Sequence, residues 1–212
     1  MLLVGLTGNY GMGKSTVLKM FGALGAITYD ADELVASLLR EEEVLKKIRG
    51  LFGERVFRGD GSLDKNKVAD IIFSDEISRR SLEDILHPLV FEKIKLLLEQ
   101  EGEKGRIAVI ETPLLFERNY EEQFQRIITV TAKQEKALER LEKSGATREA
   151  ALQRIHSQLP VEEKISRSDY TIHNNGTKEE TALQVKNIYK KLLHEGHDGD
   201  SRRAGSLTET IS

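Results

Sequence analysis

The chain has 212 residues, 39% of them hydrophobic and 32% charged, with a formal net charge of −3 and no cysteine. These figures exclude disulfides and thiolate metal sites and argue against nucleic-acid binding through a broad basic face. No apolar run approaches the ~20 residues of a membrane helix, so a soluble, cytoplasmic α/β domain without a membrane partner is expected, carrying one or two helical insertions.

Met1–Leu6 lacks the basic start and cleavage site of a signal peptide, and Leu2–Thr7 reads as a buried strand. It runs into Gly8-Asn9-Tyr10-Gly11-Met12-Gly13-Lys14-Ser15, a complete G-x-x-x-x-G-K-[ST] pattern. Glycines let such a loop turn its backbone N–H groups onto phosphates, and the helix that follows aims its positive end at the same place. Lys14 is expected to reach the β- and γ-phosphates, and the Ser15 hydroxyl to coordinate Mg²⁺. Residues 8–16, from Gly8 to Thr16, therefore form the expected nucleotide site. A glycine-rich turn without ligand is the plain alternative, but the strand before it and the helical run Ser15–Phe21 behind it weigh against that.

A second strand is expected at Ala26–Tyr29, followed by Asp30 and Asp32. A carboxylate at this strand end faces the first loop, where open α/β sheets bind ligands. Asp32 is the chosen acid to accept or orient the proton of an acceptor hydroxyl, and Asp30 an acceptor-binding candidate. Either can instead cap the next helix. The stretch from there to Ile107 exceeds what one crossover helix needs. It reads as a helix over Glu33–Phe52, periodic in Leu34, Leu38, Leu45, Ile48 and Leu51, then one capped by Asp64 and another led by Asp75. His87-Pro88 should bend or restart the last of these. Residues 33–104 thus form an expected helical acceptor-binding insertion. In it His87 either contacts the acceptor or satisfies a helix end.

A third strand, Ile107–Glu111, ends on an acid that can hold a Mg²⁺-bound water or be an ordinary strand-end carboxylate. The fourth strand is Arg126–Thr131, and Lys133–Arg167 is a basic helical excursion with a turn at Gly145 and a cap at Thr147. Such a segment suits a lid over phosphates. Arg140 is its best candidate for neutralising a transferring phosphoryl group, because a guanidinium grips two oxygens at once. The other lid cations, Lys164 among them, read as a solvated face. The fifth strand, Tyr170–His173, leads to Asn174-Asn175-Gly176, a turn that can border adenine or need no ligand at all. A last helix, Lys178–Leu193, precedes a tail (196–212) with nothing to bury. His194 and His197 have metal-compatible spacing but lack further ligands.

A regulatory GTPase would carry D-x-x-G after its third strand and [NT]-K-x-D for guanine. The nearest run, Asn66-Lys67-Val68-Ala69, lacks the acid. The two insertions instead suit a small-molecule kinase. From Gly5 to Val17 the chain resembles the opening of dephospho-coenzyme A kinases, although Asn9, Tyr10 and Met12 depart from that family's usual loop. Tyr29-Asp30-Ala31-Asp32, His87-Pro88-Leu89-Val90, Pro113-Leu114-Leu115-Phe116-Glu117, the lid residues Arg140, Thr147-Arg148-Glu149, Arg154-Ile155 and Gln158, and Asp169–Gly176 follow in the family's order. The resemblance covers roughly residues 1–195. It implies a nucleoside-monophosphate-kinase-like P-loop fold, a three-layer sandwich on a five-stranded parallel sheet, with core segments 1–32, 105–132 and 168–195 and lid 133–167. It further implies ATP and dephospho-CoA as partners, Mg²⁺ as cofactor, and transfer to the 3′-hydroxyl of dephospho-CoA by a monomer or small homo-oligomer. Leu115 and Glu117 then lie in a loop over the acceptor, with Leu114, Leu115 and Phe116 touching the pantetheine arm or packing the core. Lys143 stands where the family usually has arginine and is expected at the substrate.

Overall fold

In a computed structural model, which describes residues 1–101 and 107–198, the apolar runs become five strands. They are β1 (Leu2–Thr7), β2 (Ile27–Asp30), β3 (Ile107–Glu111), β4 (Arg126–Thr131) and β5 (Tyr170–His173), all parallel in the order β2-β3-β1-β4-β5. Every residue of β3 is buried, and every residue of β1 except Leu3. A strand covered on both faces needs a continuous apolar run, which is why these two stand out in the sequence. β2 lies one residue later than expected: Ala26 falls outside it, and Asp30 pairs in register with Glu111 of β3.

The chain divides into two compact units, Met1–Asp30 with Gly102–Ser212, and Ala31–Glu101. In the first, helices α1 (Lys14–Ala23) and α9 (Lys178–Asp198) pack on each other and on the sheet. Val17, Phe21, Val185 and Leu192 meet Val4, Leu6, Val109, Ile128 and Ile172 there, all essentially without exposure. On β1, Gly5 lets the apolar loop after β3 come close: a Cβ there would sit 2.6 Å from Leu115 and 3.0 Å from the Phe124 ring. Leu115 is 0% exposed, so it presents no surface to an acceptor, and its expected binding role gives way to core packing. Helix α9 runs past Leu193 to Asp198; the rest of the expected tail, 199–212, lies outside the described residues.

The segment expected to form a lid consists of α6 (Gln134–Lys143), α7 (Arg148–His156) and α8 (Val161–Ser166). Gly145 turns the chain at φ 96°, and the Thr147 hydroxyl accepts from the Ala150 amide at 3.2 Å to cap α7. Leu138, Leu141, Ala151 and Ile155 form a small core between α6 and α7, with Tyr10 packed against it.

The second unit contains α2 (Ala31–Leu38), α3 (Glu42–Phe52), α4 (Lys65–Ser74) and α5 (Glu76–Glu101). The single helix expected over Glu33–Phe52 is two helices. Its second half buries Val44, Ile48 and Phe52 rather than Leu45 and Leu51, because the break after Leu38 resets the helical phase. Asp64 caps α4 through the Asn66 and Lys67 amides, and Asp75 accepts from the amides of Ile77 and Ser78 at the start of α5. Pro88 lies inside α5 and does not restart it. The apolar stripe Leu82, Leu86, Val90 and Ile94 continues across the proline, so burial on both sides offsets the loss of one backbone donor.

Candidate active site at the phosphate loop

The loop after β1 is built from conformations and contacts that few side chains permit. Gly8 has φ 143° and Gly13 φ 91°; a Cβ would strike the Val130 carbonyl oxygen at the first and the Asn174 amide at the second. Gly13 stands at the N-cap of α1, whose first amides have no side-chain cap, leaving a helix N-terminus shaped for an anion. Lys14, 8% exposed, donates from Nζ to the Asn9 carbonyl at 3.3 Å, so its charge bridges the loop. Ser15 and Thr16 follow on the exposed side of the first turn.

The three residues that depart from the family's usual loop are each held in place. The buried Asn9 side chain donates to the Leu159 carbonyl at 3.0 Å. Arg154 of α7 stacks over the Tyr10 ring, 4.2 Å from its centroid, and the Tyr10 amide donates to Gln158 Oε1 at 2.7 Å. Met12, 3% exposed, receives the Ala132 amide on its sulfur at 3.0 Å.

Ser15 Oγ donates to Glu111 Oε1 at 3.3 Å, and Asp30 stands in register with Glu111 across the ladder. A hydroxyl at the helix start beside a buried strand-end acid is the donor set that Mg²⁺ uses when phosphates and water complete its shell. Among the described residues no group of three or more His, Cys, Asp or Glu is placed to hold a metal by itself. The residues therefore fit a metal that arrives with the nucleotide.

From the lid, Arg140 lays its guanidinium against the loop. Nη2 donates to the Asn174 carbonyl at 2.7 Å, and Nη1 lies 3.4 Å from the carbonyls of Gly11 and Met12. Lys143, at the far end of the same helix, is exposed. Asn174 is 8% exposed and braces the loop from behind, donating to the Met12 carbonyl at 2.9 Å while Thr181 donates to its Oδ1 at 3.0 Å. At Gly176 a Cβ would run into the Glu180 carboxylate, which accepts from the Thr177 amide at 2.8 Å while Thr177 Oγ1 accepts from the Glu180 amide. This reciprocal cap alone explains a glycine there. Asp32, exposed in the first turn of α2, and His87, half-buried on α5, belong to the second unit.

Glu117 turns inward. Its Oε1 meets Lys164 Nζ at 2.7 Å and accepts the Leu159 amide at 3.1 Å. The Lys164 side chain is 0% exposed, which corrects its reading as part of a solvated lid face. Burial pushes its ammonium below the usual lysine range, and Glu117 pushes it back up. Lys164, Leu159 and Thr181 were not singled out by sequence reasoning. The one available signal was Lys164 three residues after Val161, on the inward stripe of a short helix.

A parallel five-stranded sheet with a phosphate loop after its first strand, a serine–acid pair beside that loop and a lid arginine on it defines a P-loop kinase. The sequence model of dephospho-CoA kinase matches residues 2–180, and the chain belongs to that family, whose members are ATP-dependent phosphotransferases acting on an alcohol. The dephospho-CoA kinase of Aquifex aeolicus is 38% identical over 193 residues, covering 91% of this chain and 98% of that protein. That of Syntrophotalea carbinolica is 35% identical, covering 97% and 99%. Among solved structures, a Thermus thermophilus protein superposes with a TM-score of 0.80 at 32% identity, covering 92% of this chain and 97% of that one. Dephospho-CoA kinase from Campylobacter jejuni, at 23% identity and a TM-score of 0.63 over 90% and 96% of the two chains, shares the fold.

Proposed function

We propose that this protein transfers the γ-phosphoryl group of ATP to the 3′-hydroxyl of dephospho-CoA, giving coenzyme A and ADP. The observation that supports it most is the phosphate loop with Ser15 and Glu111 at the sheet's C-terminal edge, in a chain of this family. The acceptor oxygen attacks the γ-phosphorus, the bond to the β,γ-bridging oxygen breaks with its electron pair going to ADP, and the acceptor proton passes to Asp32. Little covalent help is needed, so the protein's work is positioning and charge neutralisation. The loop amides and Lys14 hold the β- and γ-phosphates, and Arg140 adds charge from the lid side. Mg²⁺, held by Ser15 and through water by Glu111, would neutralise the phosphate oxygens. Asp30, His87 and Glu117 are proposed around the acceptor, Asp30 also beside the Ser15–Glu111 metal pair through its register with Glu111, and Glu117 through its hold on the loop over the acceptor. Asn174 acts on the nucleotide through the Met12 carbonyl, and Gly176 through the turn it permits. Among the described residues no helix is long and apolar enough to cross a membrane, and with a cysteine-free sequence we place the reaction in the cytoplasm.

A coupled ADP-release assay with dephospho-CoA, AMP, CMP, shikimate or no acceptor tests this. Release that depends on dephospho-CoA is expected; equal release in every well would mean a bare nucleotide hydrolase. A second measurement concerns the lid. Arg140→Ala should lower kcat/KM for ATP by ~10–100-fold, the effect of a lost charged hydrogen bond. Lys143→Ala, on the exposed end of α6, should change it less than ~3-fold. A larger loss at Lys143 would show that it turns inward when nucleotide binds.

A further inference from the structure

The Lys164 ammonium stands where two hydrogen-bonded arms begin, and both end at the phosphate loop. In one, Nζ donates to the Pro113 carbonyl at 3.1 Å, which also accepts from Thr7 Oγ1 at 3.2 Å, and Thr7 is the residue just before the loop. In the other, Nζ holds Glu117 Oε1, Glu117 holds the Leu159 amide, and the Leu159 carbonyl holds the Asn9 side chain inside the loop. Gln158, next in sequence, takes the Tyr10 amide. A lysine with no exposed side-chain surface is costly, and a buried ion pair is often replaceable by apolar residues without loss of stability. Folding alone therefore gives little reason for a charge here. Phosphate loops, by contrast, work through amides fixed before the ligand arrives, and a buried anchor reached through short bonds supplies that rigidity.

We infer that Lys164 and Glu117 are positioning residues for nucleotide binding, which set the phosphate loop through the Leu159 peptide and Asn9. The inference rests on reading the loop as the nucleotide site. It does not depend on which acceptor is used. Its test is calorimetric binding of ADP with Mg²⁺, in the absence of any acceptor, so a failed acceptor assignment leaves the result interpretable. The double variant Glu117→Leu/Lys164→Met keeps the buried volume and removes both charges. It should melt near the wild type yet bind ADP roughly tenfold more weakly, the effect of one lost buried hydrogen bond. Glu117→Gln retains an oxygen for the Leu159 amide and should stay within about 3-fold of wild-type affinity. Should the double variant not fold, Asn9→Ala breaks the same arm at its far end without exposing a buried charge, and carries the same tenfold expectation. Wild-type ADP affinity in a folded double variant, or in Asn9→Ala where that stands in for it, would overturn the inference. So would a loss in Glu117→Gln as large as in the double variant, since a structural charge and not the acceptor oxygen would then be what matters.

Discussion

Lys14→Ala is expected to reduce turnover by at least ~10³-fold while the fold survives, the order seen when a preorganised donor to developing charge is removed. Lys14 is buried at the start of α1, and its Nζ reaches across the loop to the Asn9 carbonyl. If the loop seats the β- and γ-phosphates as proposed, this cation stands behind them. In the transition state charge spreads over the γ-phosphoryl oxygens and accumulates on the departing ADP, so the missing cation costs more there than in the ground state. Alanine also leaves the Asn9 carbonyl without this donor, a minor local loss beside the catalytic one. Single-turnover ADP formation at saturating ATP, with a thermal melt as control, reads the effect. Turnover within tenfold of wild type in a folded Lys14→Ala would mean that Lys14 is not the phosphate cation.

The loop after β1 was legible because glycines, lysine and serine stand at a fixed spacing, and the strands β1 and β3 because they are covered on both faces. Their apolar runs have no polar alternation to confuse them. The insertion was less legible. Periodicity runs through Leu38, Leu45 and Ile48 as if one helix continued, and only tertiary packing reveals that Val44 and Phe52 face inward beside Ile48 while Leu45 and Leu51 do not. Pro88 reads locally as a helix breaker, yet the apolar stripe on either side of it keeps α5 whole. Polar residues were the hardest. Sequence places Asn174 and Arg140 at the site, but only geometry shows that Asn174 grips the Met12 carbonyl and Arg140 the Asn174 carbonyl. Lys164 looks like every other lid cation until its neighbours are known, since burial of a charge depends on a partner 47 positions earlier, Glu117.

Asp32→Asn should leave nucleotide binding intact and lower kcat by on the order of 10²–10⁴, the usual contribution of a positioned general base. The amide matches the carboxylate in shape and can keep its place in the first turn of α2, but it carries no charge and cannot take a proton. A mere helix-start acid would give a different result. Losing its interaction with the helix dipole costs ~0.3–1 kcal/mol of stability and nothing in kcat. Asp30 makes the natural comparison, because it ends β2 in register with Glu111, the partner of Ser15. Asp30→Asn should therefore act on the metal side, raising the Mg²⁺ concentration needed for half-maximal rate more than it lowers the rate at saturation. Measuring kcat against Mg²⁺ for the two variants separates the roles. Normal turnover in Asp32→Asn, with a collapsed kcat in Asp30→Asn at saturating Mg²⁺, would move the base to the strand end.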